Sequence, residues 1–148
     1  MRRSGMSRPG IRHASFVIER NCAASPARVF EAFADPAAKR CWFGDGEGWT
    51  LEAFTAVFAE GGHECSRFSR GDGPPMRMDT IYHEIVPGQR IVLSYTMTIG
   101  GRRNSVSLAT IEFFAEGSGT RLVYTEQGAF LDGAGLGAGL APMAPTAP

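Results

Sequence analysis

The sequence predicts an α+β fold: an antiparallel sheet of about seven strands, with two short helices inserted between the first strand and the second. Three observations carry this expectation. Ser25-Pro26 and Asp35-Pro36 each set a capping side chain directly before a proline, so two helix starts follow closely on one another. From Trp49 the chain alternates apolar and polar residues in runs separated by Gly-Gly, Pro-Gly and Gly-Ser-Gly turns. From Gly133 it reads G-A-G-L-G-A-G-L-A-P-M-A-P-T-A-P, without a charged residue and too rich in glycine and proline for a stable helix.

The elements follow in order. Ala14–Ala24 alternates weakly and is read as the first strand, with Phe16, Ile18 and Cys22 opposed to Val17 and Glu19. The first helix carries Val29, Phe30 and Phe33 on one face with Ala34 beside them, and the second runs towards Trp42-Phe43. Gly44-Asp45-Gly46-Glu47-Gly48 is a loop. Trp49–Ala59 is the second strand, with Phe54, Ala56 and Phe58 at period two, and Gly61-Gly62 turns it into a third strand over His63–Ser69. Met76–Val86 is the fourth strand, with Ile81, His83 and Ile85 assigned to its inner face. Pro87-Gly88 has the chemistry of a tight turn. Arg90–Thr98 presents Ile91, Leu93, Tyr95 and Met97 on one face. Asn104–Ala115 and Thr120–Gly128 complete the sheet, the last with Leu122, Tyr124 and Glu126 on one face. Strands joined by tight turns make an antiparallel meander, which buries one face and needs cover on it.

The bulk composition excludes several classes. The chain has 148 residues, which suits one domain, and 43% hydrophobic residues, enough for a core. Lys+Arg and Asp+Glu are both 15, so no basic excess points to nucleic acid. No apolar run reaches the roughly 18 residues that a membrane span needs. The basic start M-R-R-S-G-M-S-R-P-G-I-R-H lacks the apolar core of a signal peptide. Cys22, Cys41 and Cys65 are odd in number and match no zinc or redox spacing; they are read as buried free thiols in a reducing cytoplasm. The expected organisation is a disordered leader over 1–13, one domain over 14–131 and a flexible tail over 132–148.

Five blocks in this order carry a family resemblance: A-S-P-A-R-V-F-E-A-F-A-D-P, the pair Trp42-Phe43, F-T-A-V-F-A-E-G-G, I-Y-H-E-I-V-P-G-Q-R-I-V-L-S-Y and A-T-I-E-F-F-A-E-G-S-G-T-R-L-V-Y-T-E-Q-G. Together they resemble the START-like (SRPBCC) superfamily with its helix-grip fold, and within it the family of homologues of the activator of heat-shock-protein-90 ATPase. The resemblance spans about residues 14 to 131. It implies a small apolar or aromatic ligand held in a cavity under the sheet, and a long C-terminal helix that closes the grip. F-L-D-G resembles the lead-in to that helix, but the helix itself is missing from the sequence. Such a helix buries about five large apolar side chains at roughly 1.5–3 kcal/mol each. The sum, about 10 kcal/mol, compares with the stability of a whole domain. The expectation is therefore a marginally stable chain, or a homodimer whose partner subunit covers the sheet. The eukaryotic activators engage the chaperone through an additional N-terminal domain, for which this chain has no room, so chaperone contact is not expected.

No strong catalytic motif is present. G-x-S-x-G, H-E-x-x-H and a phosphate-cradling loop are all absent, and neither a metal nor a cofactor is expected. Alternation places His83, Tyr95 and Glu126 inward; with Trp42 they form the candidate ligand cavity, with Phe113 and Tyr124 as apolar lining. Two readings of these residues stand. They are satisfied core residues, with Glu126 turned to water near its strand's end; or a desolvated Glu126 with a raised pKa acts as acid or base, assisted by His83 and Tyr95. Two functions follow: a binding module without chemistry, or an enzyme of the polyketide cyclase or aromatase type, which the same superfamily resemblance implies.

Overall fold

The computed structural model describes residues 10–43 and 46–131. Local chemistry starts both helices where the sequence places them. Ser25 Oγ accepts from Arg28 N at 3.4 Å and opens α1 (Pro26–Ala34). Asp35 closes α1, its own N–H donating to Glu31 O at 2.9 Å, and opens α2 (Pro36–Trp42), its Oδ1 accepting from Ala37 N at 3.0 Å. The strands are β1 (Arg12–Cys22), β2 (Trp49–Ala56), β3 (His63–Arg70), β4 (Met76–Val86), β5 (Arg90–Ile99), β6 (Arg102–Glu116) and β7 (Gly119–Phe130).

They form one seven-stranded antiparallel sheet in the order β1-β7-β6-β5-β4-β3-β2. Six strands in a row are hairpin neighbours. The step from β1 to β2 is the exception, because these two strands hold opposite edges. The helix pair makes that crossing and covers one face, called the inner face below. Phe30 and Phe33 of α1 pack edge-on against Phe113 of β6, with ring centroids 5.4 and 5.6 Å apart, and Phe30 reaches Phe58 at 5.8 Å. Val29, Phe30 and Phe33 are the buried residues of α1, as its periodicity predicts.

Alternation reads β5 and β7 correctly. Ile91, Leu93, Tyr95 and Met97 are buried on β5, and Leu122, Tyr124 and Glu126 on β7. It fails on β4. Met78, Thr80 and Tyr82 are buried there, while Ile81 and His83 lie on the outer face. The stretch carries apolar residues at both parities, and the larger buried surface of Met78 and Tyr82 decides the orientation. A bulge between Tyr82 and Glu84 leaves His83 as the extra, unopposed residue. β1 also begins earlier than expected, at Arg12, which pairs with Phe130, and β2 ends earlier, at Ala56. The leader residues 1–9, part of the glycine loop and the tail over 132–148, on which the expectation about a closing helix falls, lie outside the described residues.

Two turns show why glycine is needed. Gln89 N donates to Val86 O at 3.0 Å, and Gly88 between them has φ 72°. At Gly62 the constraint is space: a Cβ would stand 2.1 Å from Val57 O and 2.8 Å from Ala59 O, while the residue's own carbonyl accepts from Tyr82 N at 3.0 Å.

Asp35→Ala should lower stability by about 1 kcal/mol, the usual worth of a cap. Gly62→Ala should cost on the order of 2–3 kcal/mol, because backbone rather than a yielding side chain blocks the added carbon. Urea unfolding midpoints of the two variants check both values; a Gly62→Ala midpoint equal to the parent's would refute the steric account.

Candidate functional site

Two polar clusters are buried against the inner face. The first is built by β5, β6 and β7. Tyr95 lies opposite Ser107, and Glu126 lies opposite Ala109, so the two long side chains approach each other across β6. Ser107 and Ala109 are small enough to let them meet above that strand. Tyr95 OH donates to Glu126 Oε1, and Tyr124 OH donates to the same oxygen at 2.8 Å. Glu126 is 0% exposed, and its Oε2 has no hydrogen-bond partner among the described residues.

The electrostatics follow from burial. Desolvation raises the pKa of Glu126, and the hydrogen bonds from the two phenols oppose that rise without cancelling it. Ser107 stands close enough to act in the same sense as the phenols, yet its Oγ meets no partner at hydrogen-bonding geometry among the described residues. Burial holds the Tyr95 phenol well above its usual range, and the neighbouring Glu126 charge pushes in the same direction. Tyr124 is raised by burial first, then by Tyr95 and Glu126. Both phenols are thus neutral donors. The trio presents a carboxyl group with one oxygen saturated and the other available to give a proton or accept one.

The predicted site residues therefore divide. Tyr95, Tyr124 and Glu126 come together, with Tyr124 serving as a donor rather than apolar lining. Phe113 is buried, but it belongs to the aromatic packing beneath α1. Trp42 is half-buried and ties the helices together: its Nε1 donates to Ala32 O at 2.9 Å and its ring meets Phe33 at 4.9 Å. His83 leaves the set, because it lies exposed on the outer face with Nε2 2.7 Å from Ser94 Oγ.

The second cluster was not anticipated from the sequence. Lys39 of α2 is 2% exposed and Glu64 of β3 is 1% exposed. Lys39 Nζ donates to Glu64 Oε1 and Oε2 at 2.8 and 2.9 Å and lies 3.3 Å from Tyr82 OH. Tyr82 OH donates to Glu64 Oε1 at 2.7 Å. The ammonium also stands 5.0 Å from the centroid of the Phe43 ring. Burial, then the Glu64 charge, holds the Tyr82 phenol far above its usual range. A signal existed in the alternation of β3, which puts Glu64 on the same face as the buried Ser66 and Phe68. An inward glutamate that stays ionised needs a charged partner, and Lys39 stands one turn before Phe43 on the neighbouring helix.

Among the described residues no group of three or more His, Cys, Asp or Glu is placed to hold a metal, and no helix is long and apolar enough to cross a membrane. The three cysteines are unpaired, but only Cys22 is buried. Cys41 is exposed on α2 and Cys65 is half-buried, which corrects the expectation of three buried thiols. A surface groove of about 430 Å³ runs beside β1 and β7 at His13, Ser15 and Gln127, and another of about 660 Å³ lies along α1 at Arg28 and Glu31. Neither is lined by the Glu126 trio.

Residues 23–139 match the family model described as activator of Hsp90 ATPase homolog 1-like protein. The chain belongs to this family. Solved structures of the same START-like fold agree. The Mll3558 protein from Rhizobium loti is 50% identical with a TM-score of 0.79, over 88% of this chain and 89% of that one. An uncharacterised protein from Rhizobium leguminosarum is 42% identical with a TM-score of 0.82, over 88% and 87%. CV1439 from Chromobacterium violaceum is 26% identical with a TM-score of 0.63, over 76% and 78%. Among curated proteins none matches.

Two measurements follow from the clusters. Lys39→Met should cost about 3–5 kcal/mol, because it strands a buried carboxylate, whereas Lys39→Met/Glu64→Leu should cost clearly less. Additive losses in a double-mutant cycle would show that the pair is not coupled. For Glu126 the folded state binds the proton more tightly than the unfolded chain. Its burial is therefore without penalty below the usual carboxylate pKa and becomes a penalty as pH rises through and beyond it. Glu126→Gln keeps an acceptor for both phenols. Its melting temperature should exceed the parent's at pH 8, with the difference vanishing towards pH 4; calorimetry across that range reads the effect.

Proposed function

We propose that this chain binds a small, largely apolar molecule against the inner face of its sheet, with Glu126, Tyr95 and Tyr124 as the polar anchor and without a reaction of its own. One observation carries the reading: a fully buried carboxyl whose Oε1 is held by two phenols and whose Oε2 has no partner among the described residues. An unpartnered buried carboxyl oxygen costs stability, and a cost of that kind recurs where a group is kept for contact with a ligand. The surrounding Leu93, Met97 and Ile111 supply the apolar wall that small-molecule sites use. Family membership fixes the fold and leaves the ligand open. The three unpaired cysteines support a reducing, cytoplasmic setting.

A second reading, proton-transfer chemistry of the cyclase or aromatase kind, is favoured by the raised pKa of Glu126 beside two neutral phenols. In it Glu126 moves the proton, and Tyr95 and Tyr124 stabilise an oxyanion. His83 takes no part from the outer face.

Titration with N-phenyl-1-naphthylamine, a neutral fluorescent probe, should give saturable one-to-one enhancement, weakened about tenfold in Tyr95→Phe/Glu126→Leu. Enhancement that never saturates, or that the double substitution leaves unchanged, would sink the binding reading. Turnover of a polyketone thioester that disappears in Glu126→Gln while the probe still binds would select the enzyme instead.

A further inference from the structure

The inner face carries more unpartnered polar atoms than Glu126 Oε2. Ser66 Oγ, Thr80 Oγ1, Ser105 Oγ and Ser107 Oγ are also buried without a hydrogen-bond partner among the described residues. They are not scattered. Thr80, Tyr95 and Ser107 are consecutive partners across β4, β5 and β6, and Ser66, Met78, Met97 and Ser105 form the next row. On the neighbouring strand Glu126 faces Ala109, with Ser107 diagonal to it on the same face, while Ser105 lies two positions further along, opposite Phe130. Beyond β5, Thr80 lies about 10 Å and Ser66 about 14 Å from β6 at the usual strand spacing. Buried polar atoms are paired in the great majority of proteins, so a band of this size calls for a partner.

The charges on this face restrict what that partner can be. Among the described residues the buried carboxyl and ammonium groups are those of Lys39, Glu64 and Glu126. Lys39 and Glu64 neutralise one another at 2.8 Å. No buried cation is left to meet an anionic ligand. A cationic ligand would have to hold Glu126 ionised against its desolvation. What remains is hydroxyl groups and one carboxyl whose Oε1 already receives both phenol protons.

We propose that the site selects an uncharged molecule bearing a carbonyl-type oxygen, which docks on Glu126 Oε2 and the hydroxyl of Ser107 while its apolar body lies over Met97. Glu126 gives the oxygen a hydrogen bond, Ser107 adjusts as a second donor, and no proton or covalent bond changes owner. This rests on the ligand-binding reading of the same residues and adds the chemical class of what binds.

Displacement of N-phenyl-1-naphthylamine from the full chain reads the class directly with three probes of similar size. 9-Fluorenone, which carries the carbonyl, should bind about tenfold more tightly than fluorene, which differs by that oxygen alone. Cationic 9-aminoacridine should bind no better than fluorene. Glu126→Leu should abolish the preference for fluorenone. Glu126→Gln, which keeps an N–H donor at that position and is expected to fold at least as well as the parent, should retain most of it. Equal binding of fluorenone and fluorene overturns the inference, since water then satisfies the band, and leaves the apolar-ligand reading intact. Tighter binding of 9-aminoacridine overturns the inference as well. Failure of all three probes and of the reporter to bind overturns both.

Discussion

The fold rests on one crossing. β1 and β2 occupy opposite edges of a seven-stranded sheet, so residues 23–48 must carry the chain across its full width. Six strand spacings are about 29 Å. A helix of 9 residues and one of 7 supply about 24 Å of rise between them, and the flanking links provide the rest. The crossing must also bury apolar surface along its length, which a bare loop cannot do. It is met by two amphipathic pieces: Phe30 and Phe33 rest on Phe113 at the centre of the sheet, and Lys39 descends onto Glu64 near the far edge. Without this span the sheet would keep its ladder but lose its cover on that side.

The two buried clusters use the same chemistry for opposite ends. Lys39, Glu64 and Tyr82 are closed: the ammonium, both carboxylate oxygens and the phenol find one another. That arrangement fixes α2 over β3 and leaves nothing to offer a ligand. Glu126 is open. Two phenols converge on one oxygen and the second is left over. A buried group that could have been replaced by leucine without loss of packing is informative for that reason, since burying a carboxyl is unfavourable unless something meets it. On the proposed binding function, a closed cluster under the helices and an open one further along the sheet divide structural from ligand-holding work.

Much of this was legible in the sequence, for local reasons. Proline after a capping residue fixes a helix start irrespective of tertiary structure, and both starts appear where expected. Strands with a single clean parity, such as Ile91-x-Leu93-x-Tyr95-x-Met97, reveal their inner face and so place Tyr95 correctly. β4 is unreadable by the same rule, because Met78 and Tyr82 compete with Ile81 and Ile85, and because a bulge changes the phase at His83. The Lys39–Glu64 pair joins residues 25 apart across two layers, and nothing in the local pattern names the partner. Trp42 looked like a lining residue by type; its indole N–H is spent on the helix joint instead.

That joint has a consequence for how the sequence can change. Asp35 is the last cap of α1 and the first cap of α2, so the two helices share a single residue as their connection. Each residue inserted there would rotate everything beyond it by about 100°. One extra position would swing Lys39 off Glu64 and turn a buried ammonium towards apolar rings. The hairpin at Gly100-Gly101, exposed and remote from both clusters, absorbs length freely by comparison. Among natural variants of this chain, insertions and deletions should therefore gather at the hairpin tips and avoid the helix joint, which acts as a ruler of fixed length.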